Sequence, residues 1–369
     1  MTKLNEKQII DLFVSKFGKN KVVGFEKDDV AVLPLKTKIK IKKKKKTKSS
    51  TSSKTTSTAT AAASTAIATS TSTSTTNLIL KCDMLVESTD VPPGMRPWQI
   101  ARKSIVSCIS DLSAKGIKPP YISLISIGIP KKYSKAEIVD LANGFQLASK
   151  EFKVKIVGGD TNKSNELIID CNIVGISDED DDENSNIPKR KGARPGDVVI
   201  CSGEFGYSSS GLKILIGNAK AKGEFRKKAI LSVIKPKPQQ RFGISLAKYF
   251  SSSIDSSDGL AISLYELAKQ SSKVNFIIDI IPSANGVKAF AKDNHLMAKD
   301  LIFYGGEEYE IVATIPQLYI KKAEALARKL KLKLHVIGKV EKGNGKVFAI
   351  NENGRYSLLD DRGYMHFGR

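Results

Sequence analysis

The sequence predicts an α/β fold of the mixed α+β kind, arranged as two domains. Three observations carry this. Helical and strand-like segments alternate along most of the chain. The 369 residues are 41% hydrophobic, enough for two cores of ordinary size. Two breaks in composition interrupt the alternation, one rich in lysine, serine and threonine, the other acidic.

The elements follow in order. MTKLNEKQIIDLFVSKF has apolar residues at helical spacing and lacks the apolar core of a signal peptide. VVGFEKDDVAVL and LILKCDMLV predict strands on either side of the first break. WQIARKSIVSCISDLSAK predicts a helix, YISLISIGI a strand and SKAEIVDLANGFQLASKEF a second helix. KVKIVGG and ELIIDCNIVGI predict strands. After the acidic break, DVVICSG predicts a strand and SSSGLKILIG opens a helix. RFGISLAKYF and LAISLYELAKQ predict helices. VNFIIDI, YEIVATI, KLHVIGKV and KVFAI predict strands, and QLYIKKAEALARKL is a helix between the second and third of these. The predicted N-terminal domain is 1–187 and the C-terminal domain 188–369, with the acidic run 178–183 at the boundary.

The first break, 36–77, joins a lysine run to a Ser/Thr/Ala tract. Such a segment buries too little apolar surface to offset its ordering entropy, so a disordered insertion is expected. It also dominates the charge. The formal net charge of +22 falls to +12 without its ten lysines. Nucleic-acid binding is therefore expected only through 36–54. Cys82, Cys108, Cys171 and Cys201 form no CxxC pair, which argues against a disulfide framework or zinc site and fits a reducing cytoplasm. No apolar run is long enough to span a bilayer.

The chemistry lies in acids placed where apolar segments end. SIDSSDGL sets Asp255 and Asp258 three residues apart, between a buried segment and a helix. Capping of that helix would account for one acid. Asp28 and Asp29 stand in a strand-like run, Asp83 breaks LILKCDMLV, Asp111 interrupts an apolar helix and Asp160 ends a strand. Buried carboxylates are costly unless paired, and hard oxygen ligands suit Mg²⁺. Magnesium held in this way commonly binds substrate phosphates. GGDTNKS allows close backbone approach, and the turn SGEFGYSSSGL is a natural anion site at a helix start. No P-loop, no GxGxxG and no Ser/His/Asp arrangement occurs, and His295, His335 and His366 are scattered.

In order along the chain, Asp28-Asp29, KCDMLVE, ISDLSAKG, GGDTNKS, RPGD with SGEFGYSSSGL, KPKP, IDSSDGL, GGEEYEI and GYMHF resemble thiamine-monophosphate kinase, of the superfamily of aminoimidazole ribonucleotide synthetase. The resemblance implies ATP-dependent phosphorylation of thiamine monophosphate to thiamine diphosphate, with several Mg²⁺ ions and ATP as co-substrate. It implies a homodimer whose N-terminal sheets form a barrel. Asp29, Asp83, Asp111, Asp160, Asp255 and Asp258 match metal ligands. Gly159, Asp160, Arg190 and Ser257 match nucleotide contacts. Glu307 and Tyr364 match the thiamine-phosphate pocket, and Asp90 stands where the family has a substrate-binding histidine. Lys27 replaces a glycine before the first acid pair, Lys81-Cys82 replaces two threonines before Asp83, and Gln239 replaces an arginine. The alternatives are another ATP-using enzyme of the superfamily, synthetase-like or hydrogenase-maturation-like, or a basic RNA-associated protein.

Overall fold

The computed structural model describes residues 28–42, 69–178, 187–351 and 353–365, with the helical Gln8. The predicted N-terminal helix otherwise lies outside the described residues, as do Lys27 and the acidic run beyond Asp178.

Two sheets organise the chain. The first contains β1 (Ala31–Lys42), β2 (Thr69–Val86), β3 (Tyr121–Pro130), β4 (Val154–Ser164) and β5 (Ile168–Asp178), in the order β1-β2-β5-β3-β4. All neighbours are antiparallel except β3 and β4. The short α1 (Glu87–Asp90), then α2 (Pro97–Ala114) and α3 (Lys135–Phe152) lie between these strands in sequence. α3 starts where expected, with Ser134 and Glu137 forming a reciprocal cap.

Alternation decides which side of this sheet meets the helices. Ile79, Ile125, Ile169 and Ile173 pack with Ile105, Ile109 and Leu112 of α2 in one buried core. The opposite face leaves Met84, Ile122, Leu124 and Ile176 exposed. An apolar sheet face of this kind marks an interaction surface.

The second sheet contains β6 (Asp197–Cys201), β7 (Ser252–Ser256), β8 (Val274–Ile278), β9 (Glu310–Pro316), β10 (His335–Lys342), β11 (Val347–Ile350) and β12 (Tyr356–Leu358), in the order β12-β11-β8-β10-β6-β9-β7. Its helices are α4 (Tyr207–Leu215), α5 (Gly223–Ile234), α6 (Gln240–Leu246), α7 (Leu260–Ser271), α8 (Val287–Asp293), α9 (Ala298–Phe303) and α10 (Gln317–Lys329). β6 is buried along its whole length because both faces are covered. Val199 and Cys201 join a core with α7, while Val198 and Ile200 join another with α6 and α10. This is why DVVIC reads as an unbroken apolar run. α2 reaches between the two halves: Ala114 at its end lies in the core formed by α6 and α10. The approach needs a glycine, because a Cβ on Gly243 of α6 would overlap the Ser113 carbonyl.

Three expectations require correction. β1 and β2 pair from Ala31↔Leu80 out to Lys42↔Thr69. The ladder thus runs through 36–42 and 69–77, both ends of the segment expected to be a disordered insertion, and only 43–68 lie outside the described residues. The outer ladder continues the apolar pairs from Ala31↔Leu80 to Leu33↔Leu78, each added pair satisfying backbone groups that composition alone does not reveal. Asp28 and Asp29 sit in a bend before β1, not within a strand. α5 was not anticipated, since its lysines and arginine blur the apolar stripe of GEFRKKAILSVI.

If 43–68 contributes only length to the hairpin, replacing it with a four-residue turn lowers the closure entropy. A gain of about 1–2 kcal/mol is expected, read as an unchanged or slightly raised melting temperature. A marked fall would show that the segment packs on the fold.

Candidate active site

One face of α2 carries the site. Lys103, Ser107, Asp111 and Lys115, the last at the helix C-cap, recur at four-residue spacing and so lie along one side. The three charged residues each reach a different wall. Asp111 meets Lys81 of β2, whose Nζ lies 2.5 Å from its carboxylate and 3.8 Å from that of Asp83. Lys115 is buried, with Nζ 2.6 Å from Asp28 and 2.8 Å from Asp29. The same ammonium donates to the Ser253 carbonyl of β7 at 2.8 Å. Arg190 closes the ring: its Nε donates to Asp29 at 2.7 Å, and its backbone amide donates to Asp28.

Within this ring, ligand oxygens of Asp29, Asp111 and Asp255 all lie within 4.8 Å of one another, and all three residues are buried. Their electrostatics differ. Burial works to raise the pKa of Asp29, but Lys115 and Arg190 override it and hold the group below its ordinary value. Burial lifts Asp111 to about 6, against the pull of Lys81 and with the push of Asp29 and Asp83. Asp255 is pushed well above the carboxylate range by burial and by Asp111 and Asp29. Three close buried carboxylates, one of them strongly disfavoured as an anion, fit a hard divalent cation.

SIDSSDGL forms the floor of the site. β7 places Asp255 in the cluster. α7 then begins at Gly259, which has φ of 121° and receives no side-chain cap. Helix capping therefore does not account for either acid. Asp258 is exposed, and its carbonyl accepts the amide of Tyr364 at 2.9 Å. The Ser257 carbonyl accepts the amide of Glu307. Two distant segments thus converge on the turn after β7.

Glu307 is the second feature. Its backbone sits in the left-handed region at φ of 65°. One carboxylate oxygen forms an ion pair with the buried Lys103, which also donates to the Asp90 carbonyl at 2.6 Å. The other oxygen is buried without a hydrogen-bond partner. Lys103 hence ties two expected substrate residues together. The Asp90 carboxylate instead accepts the Val86 amide at 2.7 Å and fastens the turn after β2. Tyr364 is 43% exposed beside Gly306.

The other expected residues fall elsewhere. Asp83 approaches the cluster through Lys81. Asp160 is exposed on β4, opposite Ser126 and, beyond it, Asp170 and Met84. It shares the outer apolar face and points away from Asp83 and Lys81. A Cβ at Gly159 would overlap the Ile125 carbonyl of β3. The helix start at SGEFGYSSSGL is not open to an external anion. Glu308 fills it, accepting from the amides of Gly206 at 2.6 Å and Ser208 at 3.2 Å. Gln239 donates to Glu310 rather than facing the cluster. Lys81, Lys103 and Lys115 were missed as site residues. The signal was available in the spacing K-x3-S-x3-D-x3-K on an otherwise apolar helix.

Residues 61–177 match the family model of the AIR synthase related protein, N-terminal domain. A thiamine-monophosphate kinase of Nitrosopumilus maritimus (strain SCM1) is 40% identical over 291 residues, 79% of this chain and 89% of that protein. The chain belongs to the thiamine-monophosphate kinase family. A family member from Pyrococcus horikoshii is 36% identical over 271 residues, 73% of this chain and 80% of its own. The fold agrees with the family. A solved structure of AaThiL complexed with AMPPCP and TMP superposes with a TM-score of 0.75 at 25% identity, covering 100% of this chain and 99% of that one.

Glu308 supplies a pH test. Burial lifts its pKa to about 8, outweighing the amides of Gly206 and Ser208 that favour the anion. The folded state thus holds a proton that the unfolded chain releases near pH 4.5. That stabilisation is full at low pH and is lost as pH rises toward 8. Glu308→Gln is expected to match the parent's stability near pH 5 and to exceed it by a few kcal/mol near pH 8, on the order of 1 kcal/mol per pH unit. Parallel denaturation curves with pH would contradict the assignment.

Proposed function

We propose that the chain transfers the γ-phosphoryl group of ATP onto thiamine monophosphate, giving thiamine diphosphate and ADP. The observation that carries this is the buried Asp29–Asp111–Asp255 cluster, joined through the turn after β7 to the Glu307 and Tyr364 segment. The family membership and the AaThiL complex with AMPPCP and TMP support the same reading.

Asp29, Asp111 and Asp255 would hold Mg²⁺, which when bound neutralises the charge on the phosphates. The chain's own groups do the rest. Lys115 and Arg190 hold Asp29 as an anion and fix its direction. Lys103 pins Glu307, leaving one buried oxygen available to the cationic end of thiamine phosphate. The exposed Tyr364 offers an aromatic face to the same end. No protein base is required, because the acceptor phosphate is itself an anionic oxygen nucleophile. Positioning and charge neutralisation supply the rate.

The outer face of the first sheet is read as the dimer surface, with Met84, Ile122, Leu124 and Ile176 covered by a second copy. Asp160 lies on that face, so its nucleotide role would be exercised across the interface, while Gly159 is in register with the core residue Ile125. The protein is expected in the cytoplasm. Among the described residues no helix is long and apolar enough to cross a membrane.

Asp255→Asn keeps the volume and removes one ligand charge. Turnover is expected to fall by ~100-fold or more, while melting without metal holds or rises because carboxylate repulsion is relieved. A folded variant with near-normal turnover would overturn the cluster's role. Leu124→Lys is expected to yield monomers by light scattering, and a dimer unchanged by it would remove the sheet face from the interface. Replacing the ten lysines of 36–54 with serine should abolish any salt-sensitive RNA binding and leave the kinase reaction intact.

A further inference from the structure

Two positions in the acid ring could each take a cation, and one already holds one. Asp83 and Asp111 face each other from β2 and α2, on the side of the first sheet turned toward the helices. Between them stands Lys81, 2.5 Å from Asp111 and 3.8 Å from Asp83. Its side chain is mostly buried, at 17% exposure. We propose that the Lys81 ammonium is a resident cation that takes the place of a divalent metal ion between Asp83 and Asp111. The proposal rests on the reading of the neighbouring acids as a magnesium site.

Geometry makes the choice exclusive. Magnesium binds carboxylate oxygens at about 2.0–2.1 Å with near-octahedral demands. An ammonium already at hydrogen-bond distance from Asp111 fills the volume that such an ion and its waters require. Lysine suits this role as a compact point charge on a flexible stem. The charge balance points the same way. Asp28, Asp29, Asp83, Asp111 and Asp255 carry five potential negative charges. Lys81, Lys115 and Arg190 carry three positive ones, all in direct ion pairs with members of the group. Two negative charges remain, which one divalent ion neutralises. The only three-acid group among the described residues that could hold a metal excludes Asp83. The several-metal arrangement implied by the resemblance is thereby reduced, at this ring, to one protein-held ion.

The test counts ions rather than turnover. Mn²⁺ bound per chain is measured without nucleotide from the free-ion electron paramagnetic resonance signal, for the full-length protein, Lys81→Thr and Lys81→Arg. Lys81→Thr is expected to bind one more ion per chain than the parent, and Lys81→Arg the same number as the parent. Melting in EDTA is the second readout. Lys81→Thr should melt lower than the parent there and recover as Mn²⁺ is added, because the ion replaces the lost partner of Asp111. Equal Mn²⁺ counts in the parent and Lys81→Thr, at one or more ions each, would overturn the proposal and leave the magnesium reading standing. A count of zero in both would overturn both.

Discussion

The structure depends on burying an excess of negative charge where its two halves meet. Lys115 touches Asp28 and Asp29 before β1 and the Ser253 carbonyl in β7. The Ser253 hydroxyl returns a bond to the Ala114 carbonyl at the end of α2. Arg190, just ahead of the second sheet, holds Asp29. A buried ion pair of this kind is weak as a source of stability, since desolvation consumes most of the attraction. Removing one partner is costly, however. The arrangement fixes how β1, α2 and β7 must meet, and that in turn sets the distances among Asp29, Asp111 and Asp255.

From this constraint the rest follows. α2 must carry a polar stripe through an apolar core, and it does so at four-residue intervals from Lys103 to Lys115. Asp255 must arrive at the end of a strand that is otherwise buried. The turn after β7 must then accept both the Glu307 amide and the Tyr364 amide through carbonyl oxygens. Glu307 pays for its place with a left-handed backbone and an unmatched carboxylate oxygen, features that are retained where a ligand will use them.

Much of the fold was legible in the sequence because apolar periodicity survived in most of its elements. α3 was legible in SKAEIVDLANGFQLASKEF, and β6 in the apolar run DVVICSG. The hairpin of β1 and β2 was not legible beyond its apolar ends, because strand pairing with a neighbour is a tertiary effect. The acids of the cluster stood out as breaks in apolar runs, which is how Asp111 and Asp255 were found. Their cationic partners did not, since lysine is common in this chain and only the fold shows which ones are buried. Asp160 illustrates the same limit. Its strand is evident, but which face it occupies depends on a register that only the paired sheet defines. The helix start at Gly206 looked open because Glu308, which fills it, lies about a hundred residues away.

The charged junction is proposed to carry phosphoryl transfer between two phosphates. Phosphorus-31 nuclear magnetic resonance of the purified chain with ATP, Mg²⁺ and thiamine monophosphate tests it most directly. The monophosphate signal is expected to give way to a diphosphate pair in step with ADP, with no consumption of ATP when thiamine monophosphate is left out. Release of AMP with pyrophosphate, or steady ATP hydrolysis with the monophosphate untouched, would contradict it.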